Sequence, residues 1–495
     1  MLENMAEQDV IGAAISFFPV AVIFVSAFLA MLAAIILGMR PGWFYPIIAF
    51  AGLVAAATSS WFLWEYFDGS SSFGFMFDRT SALSWMLISG TVLFGLMISM
   101  SGSYKKRSLR PENSVLVMFM AGGLCVVACS ADMLGILAGL VIVLAALSGI
   151  VSVFGGKPRE VESQVKSVFF MMIALGFFIL AATFMFGAAG TFDLGAIVGD
   201  AWQMSSELDR VFFLFGVTMI VVAFGIMIFA FPFGMWFVDF FDGAPAPASV
   251  YAATSLLISF QIAFMRFSAS AVSMPKTNWQ TLISVFSIAT ILAGLLGAMR
   301  QENIRRMLGY SVLCHSGLLL AAFALPVAAT SQLKFAIITY LVAYAVAMAG
   351  TMALLMLLSP DSDGDIEINR LAGLSGRNPV LAATFSIFMM SMAGLPLTIG
   401  FWARFVLIKT ILLEGSGVLA AVVGAASLGM FYFMMRPVAI IYFRRIGELK
   451  IDEGAYNDCG LTSLPLVAVT AIAAVVTVFF GILPENFMAL VMASS

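Results

Sequence analysis

A single histidine, His315, and four cysteines, Cys125, Cys129, Cys314 and Cys459, stand among 495 residues. Their number and spacing limit the chemistry the chain can do. One histidine cannot supply both axial ligands of a bis-histidine haem. Cys125 and Cys129 share a helix face, and four scattered thiols do not have the spacing of a zinc or iron–sulfur site, so they read as small apolar residues. No Walker-type lysine loop and no glycine fingerprint between a strand and a helix is found. The chain is therefore expected to hold no cofactor, no metal and no ATP site, and to take any energy it uses from partners or an ion gradient. What remains is charge chemistry. Lys166, Arg266, Arg404 and Arg436 lie in or beside long apolar runs. An ionisable group in a bilayer is costly, so it tends to face a polar path and to be functional. Lysine and histidine suit proton transfer because burial and neighbours move their pKa values into the working range.

The elements that must position these groups are membrane helices. Charged residues make up 10% of the chain and apolar types 62%, with mean hydropathy +1.06, whereas soluble domains are about 25% charged. This excludes a cytosolic enzyme, a nucleic-acid binder and a disordered chain, and a net charge of −3 excludes a polyanion as main partner. Long unbroken apolar runs argue against a barrel. A span needs about 20 apolar residues. Fourteen runs qualify, near 12–38, 43–66, 82–102, 113–131, 133–154, 161–188, 210–237, 246–273, 279–300, 302–325, 333–358, 379–412, 416–444 and 464–492. The fold class expected is an all-α polytopic membrane protein. Connections are short and rich in turn formers, such as Asp68-Gly69-Ser70-Ser71 and Pro360-Asp361-Ser362-Asp363-Gly364-Asp365, and no segment reads as a separate soluble domain. Glu3, Glu7 and Asp9 precede the first run, where a cleavable signal would begin basic.

Basic loops orient the bundle. Arg40, Lys105, Lys106, Arg107, Arg110, Lys157, Arg159, Arg300, Arg305, Arg306, Arg370, Arg377, Arg444, Arg445 and Lys450 fall on one side; Arg79, Arg210, Lys276, Lys334 and Lys409 fall on the other. The richer side is expected in the cytoplasm of a prokaryotic cell, with both termini outside its inner membrane. Two runs look broken, the seventh at Phe231-Pro232-Phe233-Gly234 and the twelfth at Ala393-Gly394-Leu395-Pro396. Proline removes a helical hydrogen bond. Irregular backbone survives at membrane depth only where protein or a polar cavity covers it. A simple kink accounts for one such break; a pair about one five-helix unit apart points equally to an ion path between repeats.

Four segments carry a family resemblance. Asp242-Gly243-Ala244-Pro245-Ala246-Pro247, with Phe231-Pro232-Phe233 and Trp236 upstream, resembles VPFHxWTPDVYxGAPAPV. Asn303-Ile304-Arg305-Arg306-Met307-Leu308-Gly309-Tyr310-Ser311, with His315, resembles NIKRLLGYSSIxH. Ala393 to Phe401 resembles AGIPxTxGFxGKF, and Glu162-Ser163-Gln164-Val165-Lys166 resembles EAxxKY. The chain is thereby identified as a member of the antiporter-like subunit family of respiratory complex I. Leu341-Val342-Ala343-Tyr344-Ala345, without the histidine and lysine of subunits L and M, is similar to subunit N. Fourteen helices resemble the prokaryotic or plastid form.

The resemblance implies helices 1–3 over 1–112, inverted five-helix repeats over 113–273 and 279–445 with helices 7 and 12 broken, and a C-terminal loop and helix over 446–495. It implies a proton-translocating membrane-arm subunit of an NADH (or other donor):quinone oxidoreductase. Quinone, FMN and iron–sulfur clusters would belong to partner subunits. The family's charges mostly fail to carry over: its glutamate and lysines fall on Val141, Met227 and Leu257, a histidine on Gly234, and one lysine on Arg404. Proton-path candidates are Lys166, His315 and Arg404; the broken-helix elements are Pro232, Gly234, Gly394 and Pro396. Each candidate has a plainer reading: a Glu162–Lys166 ion pair, a structural histidine, a snorkelling arginine. Asp132 reads as an N-cap, and Asp239 and Asp242 as residues fixing a cytoplasmic turn or a neighbouring subunit. The alternatives are a structural subunit of the same complex without its own channel, or a subunit of a multisubunit cation/proton antiporter or membrane-bound hydrogenase.

Overall fold

The structure is a computed structural model that describes residues 12, 14–37, 42–101, 104–200, 206–271, 279–325, 331–359, 365–414, 416–444 and 463–493. Arg40, Lys276, Arg445, Lys450, Cys459 and the Pro360 to Gly364 segment lie outside the described residues.

Among the described residues, thirteen helices are long and apolar enough to cross a membrane. They are α1 (Phe18–Leu37), α2 (Phe44–Phe62), α3 (Arg79–Ser99), α4 (Pro111–Cys129), α5 (Met133–Phe154), α6 (Pro158–Ala189), α7 (Glu207–Met227), α8 (Ala246–Ala269), α9 (Trp279–Met299), α10 (Ile304–Phe323), α11 (Ser331–Leu358), and, after the twelfth run, α14 (Gly417–Phe443) and α15 (Leu464–Ile482). The twelfth run is two shorter helices, α12 (Pro379–Ala393) and α13 (Ile399–Leu413). The protein is thus an all-α multi-pass membrane bundle, and every expected run corresponds to a helix or to a broken pair.

The helix ends are written in polar caps. Asp78 accepts from the Ser81 N–H, Asp132 from Gly135, Asn303 from Arg305 and Arg306, and Asn378 from Leu381, each satisfying backbone donors that a helix N-terminus leaves unpaired. Prolines open α4, α6 and α12, where the missing N–H costs nothing. The α8, α10 and α11 helices form the interior. By contrast α1, α6, α9, α14 and α15 are peripheral and expose large apolar side chains such as Ile36, Phe169, Leu296, Leu428 and Val475. In a bilayer those faces meet lipid or neighbouring subunits.

Two features depart from the sequence reading. The Asp68 turn is a small antiparallel hairpin, β1 (Asp68–Ser72) with β2 (Phe75–Asp78). Phe73 and Gly74 close it, both at positive φ, as a two-residue hairpin turn requires. A serine-rich strand of five residues has no apolar alternation to announce it. The last run divides after Ile482, because Pro484 starts a separate helix, Pro484–Met492.

Candidate functional site

The first break follows α7. The helix ends at Met227, Phe229 adopts φ +63°, the Phe231–Pro232 peptide is cis, and a 3-10 turn (Phe233–Met235) leads into a short helix, Trp236–Gly243. A Cβ on Gly234 would collide with the Phe229 backbone, so glycine is required there. The opened backbone is stitched to its neighbours: Thr290 Oγ1 on α9 accepts from the Phe231 N–H at 2.9 Å, and Ser316 Oγ on α10 donates to the Ile228 carbonyl.

The second break separates α12 from α13. Gly394 is left-handed at φ +78° and Leu397 lies at φ +71°. Gly400 packs against the Ser391 carbonyl, where a Cβ would clash. Arg404, buried on α13, folds back over Gly394 and donates to the Met392 and Ala393 carbonyls. These carbonyls belong to the last turn of α12, the negative end of its dipole, where a cation is favoured. The planar guanidinium fork meets both at once, one nitrogen to each carbonyl. Arg404 is therefore a helix-end cap inside the bundle, and the snorkelling alternative fails because its side chain is buried and directed inward.

His315 lies between the breaks. Its Nδ1 is 2.7 Å from the Tyr340 hydroxyl of α11, and its ring packs against Tyr344, centroids 4.7 Å apart. Tyr344 donates to the Ala253 carbonyl of α8 at 2.9 Å. The Arg404 guanidinium lies beside the Tyr340 hydroxyl. Next to His315, Ser316 accepts from Gln261 Nε2 of α8 at 3.2 Å. A line of buried polar groups thus runs from the Ile228 carbonyl through Ser316 and Gln261, past His315 and Tyr340, to Arg404 and the α12 carbonyls. Gln261 Oε1, His315 Nε2 and Ser391 Oγ have no partner within the protein. Buried polar atoms are almost always satisfied by protein or ordered water, so this line demands water at three points.

Lys166 is elsewhere. It sits at the basic-loop end of α6, bonded to Glu162 at 2.8 Å and Asp239 at 3.0 Å. The local i,i+4 pair is present, together with a carboxylate from the segment after the first break. Arg159 pairs with Asp242 at 2.6 Å and Asp365 at 2.9 Å, and Arg306 approaches Asp239 at 3.7 Å. Apart from Asp365, these groups line a cavity of about 310 Å³. Asp239 and Asp242 do fix the turn, by tying it to α6 and α10. Arg305 completes the tie through the Phe241 and Ala244 carbonyls and Ser249.

At the positions where the family resemblance placed charge, Met227 and Leu257 are fully buried in apolar surroundings, and Val141 is half-exposed on the outer face of α5. The sequence reading missed Gln261, Ser316, Tyr340 and Tyr344. Their signal was available: Tyr340 and Tyr344 are one turn apart on α11, and Gln261 interrupts an apolar stretch of α8. It also left Arg266 without a role. Arg266 is buried and bonds Asp78 at 2.7 Å, Ser81 at 2.8 Å and the Ala128 carbonyl at 2.8 Å, beside a cavity of about 360 Å³ at the end opposite the basic loops. Burial pushes the Asp78 carboxyl up, but Arg266 and Ser81 outweigh it and hold the pKa below the ordinary value. Burial holds the Asp132 carboxyl above its ordinary value. Cys125, Cys129 and Cys314 are free and buried.

Residues 130–429 match the family model described as NADH:quinone oxidoreductase/Mrp antiporter, transmembrane. Subunit N 1 of the NADH-quinone oxidoreductase of Herpetosiphon aurantiacus is 30% identical over 427 residues, covering 85% of each chain. A chain of respiratory complex I from Thermus thermophilus superimposes with TM-score 0.80 at 21% identity, covering 96% of this chain and 100% of that one. A chain of the Mrp complex from a Dietzia species superimposes with TM-score 0.80 at 18% identity, covering 98% and 97%. The two solved structures share the fold, and the sequence match extends over both breaks and the line between them. The chain belongs to the transmembrane NADH:quinone oxidoreductase/Mrp antiporter family, with curated relatives named subunit N.

Proposed function

We propose that the chain is the subunit-N component of the membrane arm of a complex I-type oxidoreductase, and that it carries protons along the buried line joining its two broken helices. Oxidation of NADH or another donor, and reduction of quinone, take place on cofactors of partner subunits. The observation that supports conduction is the line itself: an imidazole held by a phenol, two amide or hydroxyl side chains, three polar atoms that require water, and a fixed cation at the far end. Arginine keeps its proton at any working pH, so Arg404 holds charge and orders its neighbours, while His315, Tyr340 and water pass the proton. Lys166 with Glu162 and Asp239 forms the mouth at the basic-loop end, which faces the cytoplasm of a prokaryotic cell by the bias of loop cations. Residues 113–273 and 279–445 act as two inverted repeats, each contributing one break.

A second reading, a structural subunit without a channel, draws on the apolar burial of Met227 and Leu257. It predicts assembly without conduction, which proton counting distinguishes. A separate experiment tests the place in the complex. Affinity purification of the full chain from its native membranes is expected to bring down an assembly that oxidises an electron donor and reduces quinone. Recovery of a cation/proton exchange assembly with no quinone reductase activity would refute the assignment.

A further inference from the structure

The outer face of α14 carries a second polar feature, distant in character from the proton line. Near the basic-loop end, Arg436 and Arg444 border an open cavity of about 480 Å³, together with Asn369, Phe431, Tyr432 and Phe443. Arg436 Nη1 donates to the Gln301 carbonyl at 2.9 Å, and Arg444 Nη1 donates to Asn369 Oδ1 at 3.1 Å. Both guanidinium groups thus spend one nitrogen on a neutral acceptor. Among the described residues, no carboxylate pairs with either. Two arginines facing one cavity, without a carboxylate partner among the described residues, are unusual in a chain with so few charges.

The depth of the site fits the membrane surface. α14 has 27 residues, about 40 Å of helix at 1.5 Å per residue, against a hydrocarbon core of about 30 Å. Arg444, directly after the helix, therefore reaches the headgroup zone, and Arg436, about 12 Å earlier, starts just inside the hydrocarbon edge, from which its long side chain snorkels toward the headgroups. The rings of Tyr432 and Phe443 are exposed on the same face, and Tyr432 is of the amphipathic type that concentrates at this level. Arg436 lies between these rings along the helix and Arg444 just beyond them, both lining the one cavity, while exposed apolar side chains such as Leu428 continue on the deeper side, suited to acyl chains.

We infer that Arg436 and Arg444 form a binding site for the phosphodiester headgroup of an anionic phospholipid, whose acyl chains lie along the outer face of α14. Guanidinium groups engage phosphate oxygens through parallel N–H donors, and basic pockets between helices at the cytoplasmic side recognise such headgroups. Charge complementarity favours lipid over a partner helix, since a helix covering this face would bury two arginines unless it brought its own acids.

Native mass spectrometry of the purified assembly, delipidated and then titrated with phosphatidylglycerol or phosphatidylcholine of matched acyl chains, tests the site. The wild-type chain is expected to retain phosphatidylglycerol in preference. Arg444→Gln should lower that preference about fivefold, the effect of about one cation at a membrane surface, and Arg444→Glu should abolish it. Arg444 is exposed, so these variants keep the fold even if Arg436→Gln disturbs the α9 contact. Equal retention of the two lipids, or an unchanged preference in both Arg444 variants, overturns the proposal. So does a crosslinker attached at Tyr432→Cys that captures a partner subunit rather than lipid in native membranes.

Discussion

Replacing Arg404 with methionine gives the sharpest test of how the second break is held. Methionine keeps most of the apolar stem and removes the guanidinium. The Met392 and Ala393 carbonyls then lose the guanidinium donors at a site buried within the bundle. An unpaired buried acceptor costs about 1–3 kcal/mol, so two cost roughly 2–6 kcal/mol, and loss of the cation at the α12 C-terminus adds up to about 2 kcal/mol. Arg404→Lys restores a charge but cannot bridge both carbonyls with a planar fork, so it should recover about half of the loss. Thermal unfolding of the purified assembly reads the effect, with the order wild type, then Arg404→Lys, then Arg404→Met, and several degrees across the series. Equal melting of Arg404→Met and wild type would show that the carbonyls are satisfied without the guanidinium, and the capping argument would fall.

Further outcomes follow from the same geometry. Asp78→Asn leaves buried Arg266 without its anion, at a cost of about 3–5 kcal/mol for a broken buried pair, read as a lower melting temperature of the purified assembly. Because the Asp78 pKa is lowered on folding, the wild-type stabilisation is present above the ordinary aspartate range and is lost as pH falls through the lowered value; Asp78→Asn should remove that acid-side dependence, and an unchanged acid limb in thermal melts would contradict it. Gly234→Ala drives a methyl into the Phe229 backbone, which cannot give way as a flexible side chain would, so the loss should reach or exceed about 3 kcal/mol, seen as failed assembly. Lys166→Met removes a half-exposed pair and should cost under about 1 kcal/mol, slowing proton uptake while leaving the protons moved per electron unchanged.

Much of the fold was legible in sequence because its determinants are local. A run of about 20 apolar residues spans a bilayer whatever its neighbours do, and Asp132 and Pro232 act on their own helices. The hairpin at Asp68 escaped because its stability lies in the turn and in contacts across the bundle, with Phe75 bridged to Ser130. The candidate site was half legible. Arg404 and His315 stood out by type, but the partners that give them meaning are distant in sequence: Tyr340 is 25 residues from His315, and Ser316 is 88 from Ile228. Lys166 stood out equally, yet its partners Glu162 and Asp239 place it at the rim. Residue type selects candidates; only packing decides whether a cation caps a broken helix, joins a surface cluster or meets a histidine.

Counting protons per electron in inside-out membrane vesicles tests the central claim most directly. The vesicles carry assembled complex with wild-type chain, or with His315→Gln and Tyr340→Phe combined, while quinone reduction is followed in parallel. The double variant keeps side-chain volume near the site but removes the imidazole and the phenol. The account predicts that quinone reduction persists and the ratio of protons moved to electrons transferred falls. An unchanged ratio with full assembly would contradict conduction along this line and leave the chain a structural member of the arm.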